Sequence, residues 1–180
     1  MIVKRSALLA PIALALALAG CGGRSNKEAA AAAYCPTPVT VQDAQRLTRF
    51  KQGGGRDPRD VAFEAVLVQT NAACSINRNT MDVSVYIQIA VNAGPSVGAG
   101  VTRVPFFVRV IDSSGAVVVG RDELADYKLS AGNPRGMSRE ELGIKIPFSE
   151  ITDIGAYRIA VGLKPTPEEL EFNRRAVARP

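Results

Sequence analysis

Met81-Asp82-Val83-Ser84-Val85-Tyr86-Ile87-Gln88-Ile89-Ala90-Val91 decides the fold of this 180-residue chain. Its odd positions are Met, Val or Ile throughout, and its even positions are Asp82, Ser84, Tyr86, Gln88 and Ala90. Successive side chains of a β-strand point to opposite faces, so period two over this length specifies a strand buried on one face and wet on the other. A one-residue slip would carry every one of those hydrophobes into water, which fixes the register.

Upstream of this strand, residues 61–69 form an apolar, β-branched run that reads as a second strand, and Val39-Thr40-Val41 reads as a short first strand beside the edge-favouring Pro36 and Pro38. Residues 43–47 fit either a turn or a short helix. Gly53-Gly54-Gly55-Arg56-Asp57-Pro58 breaks regular structure, because three glycines carry maximal backbone freedom and a proline follows. Downstream, residues 104–111 and 116–119 flank Asp112-Ser113-Ser114-Gly115 and read as a hairpin, with Pro105 placing its first strand at an edge. Residues 124–139 are polar and read as irregular. Residues 142–148 alternate again, and residues 157–163 supply a last strand. Thr166-Pro167-Glu168-Glu169 combines an N-cap, a proline at the first helical position and a carboxylate three residues after the cap, which predicts a short C-terminal helix to about Arg174.

Seven short strands separated by turn signals, with no long amphipathic helix, predict an all-β antiparallel sandwich. Asp153-Ile154-Gly155-Ala156-Tyr157 resembles the Asp-x-Gly-x-Tyr of the tyrosine corner of immunoglobulin-like domains. That resemblance implies an immunoglobulin-like sandwich in which the Tyr157 hydroxyl bonds back to the chain.

The N-terminus follows a different logic. Lys4-Arg5 precedes an apolar run over residues 7–19, the charge-then-hydrophobe order of a secretory signal. The run is shorter than the ~20 apolar residues a spanning helix needs. Leu18-Ala19-Gly20-Cys21 resembles the lipobox of bacterial lipoproteins. The resemblance implies cleavage of a signal peptide over residues 1–20, diacylglyceryl transfer to the Cys21 thiol and acylation of the new terminus. With two or more chains such an anchor holds firmly. Gly22 follows the cysteine in place of the Asp that retains enterobacterial lipoproteins in the inner membrane, so by analogy the anchor sits in the outer membrane, facing the periplasm. The other reading is an ordinary cleaved signal in which Cys21 is incidental. Residues 21–34 are small and polar around an alanine run and read as a flexible tether with an r.m.s. reach of about 20 Å. A single β-sandwich domain then spans residues 35–180.

With Cys21 lipidated, Cys35 and Cys74 remain as an even pair in an oxidising compartment, which predicts a disulfide between them. Two buried free cysteines are the alternative. Cleavage also removes Lys4 and Arg5, leaving 20 of the 22 basic residues against 17 acidic ones. So small an excess is no nucleic-acid signature. Arg174, Arg175 and Arg179 cluster at the C-terminus, where they could meet anionic head groups or form a solvated tail.

The chain has no histidine. That excludes a Ser-His-Asp triad, a Cys-His dyad and His-based metal sites. No phosphate-loop or dinucleotide fingerprint occurs, so no cofactor is expected. Carboxylates remain: Asp57, Asp60 and Glu64 flank the glycine-rich loop, and Asp122, Glu123 and Asp126 cluster elsewhere. Paired carboxylates could cleave glycosides, although loop acids are ordinarily solvated surface. The spacing of 122, 123 and 126 lacks the alternating ligands of a calcium loop, and no metal site is expected. Arg56, Asp57 and Arg59 mark a partner-binding loop that could close on an envelope protein or a cell-wall polymer, the plain alternative being a solvent loop with local Arg–Asp pairs. The function expected is therefore a lipid-anchored, non-enzymatic binding or scaffold module of the envelope, with a carboxylate-dependent hydrolase of envelope polysaccharide as the alternative.

Overall fold

The computed structural model describes residues 26–177. The expected signal peptide, the expected lipidation position Cys21, the start of the expected tether and Arg179 lie outside the described residues. Strands β1 (Pro38–Thr40), β8 (Arg158–Leu163), β5 (Thr102–Ile111) and β6 (Val117–Tyr127) form one sheet in that order. Strands β2 (Arg46–Phe50), β3 (Val61–Asn77), β4 (Thr80–Ala93) and β7 (Arg135–Pro147) form the other. All neighbouring pairs are antiparallel except β1 with β8. The fold is an all-β sandwich with helices α1 (Asn26–Tyr34) and α2 (Pro167–Val177) at its margins.

The opening stretch lies in β4, where Met81, Val83, Val85, Ile87, Ile89 and Val91 are each at most 1% exposed. They face Val104, Phe106, Val108 and Val110 of β5 and Ile159, Val161 and Leu163 of β8, all within one apolar cluster. Burial of this face, at roughly 25 cal/mol per Å² of apolar surface, drives the two sheets together. The Tyr127 hydroxyl, at the end of β6, donates to the Ile89 carbonyl oxygen at 3.2 Å and lies 2.6 Å from Ser138 Oγ, tying one sheet to the other. Burial pushes the Tyr127 phenol above its ordinary value, against the hydrogen bond from Ser138.

Four sequence expectations change. Eight strands are present, the additional one being β2, whose Leu47 is fully buried opposite Ala65. Strands β3, β6 and β7 run well beyond their apolar cores, so residues 124–139 are mostly strand and not irregular. Strand β5 is central, and Pro105 is tolerated because pairing with β8 starts only at Phe106. The flexible tether gives way, over Asn26–Tyr34, to a nine-residue helix. Alanine is the best helix former, and the short helix persists because Ala31 is buried and Tyr34 packs against the core.

Asp153 and Tyr157 also differ from expectation. Asp153 forms a capping box with Glu150 at the start of a 3-10 helix, Ile151–Ala156, and Tyr157 terminates it. The tyrosine hydroxyl bonded to distant backbone is that of Tyr127. Helix α2 begins as the capping box predicts: Thr166 N–H donates to Glu169 Oε2 at 2.8 Å, and Glu169 N–H to Thr166 Oγ1 at 3.3 Å.

Candidate binding surfaces

The glycine-rich loop joins Phe50 of β2 to Val61 of β3 and is folded throughout. Lys51 N–H donates to the Asp60 carbonyl oxygen at 2.8 Å, and Lys51 Nζ lies 2.7 Å from Asp60 Oδ1. Asp57 caps the 3-10 helix Pro58–Asp60 by accepting from Arg59 N–H at 2.9 Å, and the same carboxylate takes Arg59 Nε at 2.9 Å and Nη2 at 3.1 Å. Arg56 stacks 4.8 Å over the Phe50 ring and reaches Glu168 of α2 at 2.5 Å. Phe50 in turn meets Phe172 edge to face at 5.0 Å. Ser96 Oγ donates to the Arg59 carbonyl oxygen at 2.7 Å, tying the loop to its neighbour. Arg56, Asp57 and Arg59 are thus brought into one loop, but each charge already has a partner within the chain.

That pairing sets the proton chemistry. Hydrogen bonds from Arg59 hold the Asp57 carboxyl below its ordinary value, and the Lys51 ammonium does the same for Asp60. An acid catalyst needs the opposite, a carboxyl raised toward neutrality. Glu64 stands on the outer face of β3, in register with Thr48 and Asn92, and shares no hydrogen bond or ion pair with Asp57 or Asp60.

The second acidic group is dispersed by strand geometry. Asp122 is held by Lys164 at 2.7 Å and Arg109 at 2.5 Å, which lower its pKa in that order. Arg109 also lies 5.2 Å over the Phe107 ring. Glu123 points to the opposite face of β6 and pairs with Arg121 at 3.7 Å, while Asp126 pairs with Arg103 at 3.6 Å. Among the described residues no group of three or more His, Cys, Asp or Glu is placed to hold a metal ion.

Cys35 and Cys74 form a disulfide, with Cα atoms 5.6 Å apart, linking the end of α1 to the far half of β3. Beside it lies a surface that reading single segments misses, the outer face of β3, β4 and β7. The register sets Gln69, Gln88 and Arg139 in one row, Asn71, Tyr86 and Glu141 in the next, then Ala73, Ser84 and Gly143, then Ser75, Asp82 and Lys145. The alanine, serine and glycine row leaves a trough of about 340 Å³, and a hollow of about 260 Å³ adjoins Tyr86. A Cβ added at Gly143 would meet nothing within 4 Å.

The hydrogen-bonding state of this face is unlike that of the loop. Within the described chain, the side chains of Gln69, Asn71, Ser75, Ser84, Tyr86 and Arg139 form no hydrogen bond or ion pair. Lys145 Nζ stands 4.0 Å from Asp82 Oδ1, too far for a hydrogen bond, and that buried oxygen has no other partner. The polar half of the opening stretch was the only sequence signal for this face. No protein-family model, curated protein or solved structure matches this chain.

Proposed function

We propose that this chain is a lipid-anchored, periplasm-facing envelope protein whose sandwich serves as a non-enzymatic binding and scaffold module. One observation carries the reading: α1 and the glycine-rich loop lie at opposite ends of β3. The disulfide joins the α1 end to Cys74, while the loop enters β3 at Val61. Val61 and Ile76 are fifteen residues apart along one strand, about 50 Å at ~3.3 Å per residue. From Cys21 to Asn26 is five residues, at most about 17 Å of chain. A lipid on Cys21 therefore keeps the α1 end near the bilayer surface and directs the loop end into the periplasm.

The non-enzymatic part is supported by the lack of histidine and by carboxylates locked in ion pairs below their ordinary pKa. We also infer an immunoglobulin-like sandwich, since the chain crosses between two four-stranded sheets after β1, β4, β6 and β7 in the manner of Greek-key folds.

The anchor is tested by membrane fractionation and in-cell cross-linking of the native protein beside Cys21→Ser. The expected result is that the native chain sediments with membranes and captures an envelope component, while Cys21→Ser is released and loses it. Native and variant chains that fractionate alike would overturn the anchoring.

A further inference from the structure

We propose that the outer face of β3, β4 and β7 is a binding site for an uncharged glycan chain, laid across the trough at Ala73, Ser84 and Gly143. The proposal rests on the binding-module reading and names the ligand class.

An uncharged sugar has two requirements. Its hydroxyls want planar amides and carboxylates that donate and accept in fixed directions, and its C–H face wants an aromatic ring. The face supplies both, with Gln69, Asn71 and Gln88 beside Tyr86 and Asp82 two rows further along β4. These groups stand on three hydrogen-bonded strands, which hold a site more closely than a loop does.

Most of these groups are unpartnered; Gln88 is the exception, its amide donating to Met137 Sδ at 2.9 Å. The amide side chains of Gln69 and Asn71 and the hydroxyls of Ser75, Ser84 and Tyr86 bond to nothing in the described chain, and a buried oxygen of Asp82 has no hydrogen-bond partner. The charged groups of the glycine-rich loop, by contrast, are held by neighbours within the chain.

Charge chooses the class of polymer. Arg139 and Lys145 stand on the face beside Glu141 and Asp82, so its charges balance. A balanced face offers no field for a polyanion, which argues against nucleic acid or an acidic polysaccharide. Shape agrees, because the small residues at positions 73, 84 and 143 fall in one row across the three strands, beside the row of Asn71 and Tyr86 that borders the second hollow.

The test uses the full chain in detergent micelles, titrated calorimetrically with chitohexaose, cellohexaose and, as an anionic comparison, a heparin oligosaccharide. The expected result is weak but saturable binding of one of the uncharged oligosaccharides and none of heparin. Tyr86→Ala and Asn71→Ala should each weaken it at least about tenfold. Gly143→Val, whose Cβ meets nothing within 4 Å and whose branches fill the trough, should abolish binding without lowering the melting temperature. Arg59→Ala should bind as the native chain does. Binding that survives Gly143→Val, binding of heparin alone, or no binding of either uncharged oligosaccharide would overturn the proposal. Those results leave the anchored-module reading standing, because it falls only with the fractionation of Cys21→Ser. Conversely, glycan binding that follows these variants stands even if the Cys21→Ser chain stays with membranes.

Discussion

The glycine-rich loop and the outer face of β3, β4 and β7 carry similar side chains, arginines, acids and amides at the surface, and dispose of them in opposite ways. In the loop, Asp57 is turned on Arg59, Asp60 on Lys51, and Arg56 on Glu168 and the Phe50 ring. On the face, neighbouring side chains rise from parallel rows about 5 Å apart between strands and point the same way, so, apart from Gln88 on Met137, they stand beside one another without closing in hydrogen bonds. A flexible segment can bend until its charges meet, whereas a strand cannot. Residue chemistry alone therefore does not tell which polar groups are left open, because a group already satisfied within the chain has little left for a ligand.

The largest test of this contrast removes the support under the face. Cys74 lies one residue from Ala73 and Ser75, and its disulfide holds α1 against the far half of β3. For a sequence separation of 39 residues, chain entropy puts the stabilisation at about 4 kcal/mol. Replacing both cysteines by serine should lower the unfolding free energy by about that much in non-reducing urea titrations. A loss under about 1 kcal/mol would mean that α1 is held by packing alone.

Two glycines sharpen the comparison at smaller scale. Gly94 adjoins the point where the loop enters β3, and a Cβ there would lie closer than 3.0 Å to the Val61 carbonyl oxygen. Gly94→Ala should destabilise by about 1–3 kcal/mol, since backbone has to move. Gly143 has an ordinary φ and open space, so Gly143→Ala should leave stability unchanged or raise it by up to about 1 kcal/mol, as expected of glycine inside a strand. Equal effects in thermal unfolding would show that the face is not the open surface described above.

How much of this was legible in the sequence follows the same physics. β4 was readable because burial of one face imposes alternation, and the capping box at Thr166 because it is local. Strands β6 and β7 were not, beyond their apolar parts. Arg121-Asp122-Glu123 and Arg139-Glu140-Glu141 put charge on successive positions, as edge strands do, and erase the period-two signal. The far half of β3 has Asn71, Ala72 and Ala73, poor strand formers held by pairing with β4. The face was invisible for another reason. Its rows combine residues near 70, 86 and 140, which only the register brings together.

The smallest expected effect concerns protons, and it separates the two regions without a ligand. The folded Asp57 carboxyl lies below 3.8, chiefly through the Arg59 side chain and then through its backbone N–H. Because the folded value is depressed, the pair contributes stability that is fully present above the unfolded pKa and is lost as pH falls through the folded one. Arg59→Ala removes the larger cause and leaves the backbone bond. Since the side chain of Arg59 is 88% exposed, solvent screens the pair and the effect is small. Melting temperatures of native and Arg59→Ala chains should therefore differ slightly at neutral pH and converge as pH drops below 3.8. Tyr86→Ala should show no such convergence, because the Tyr86 hydroxyl bonds to no carboxylate among the described residues. A pH-independent offset for Arg59→Ala would mean that the loop is held by its backbone and packing, and that the pairing seen at Asp57 adds nothing to the fold.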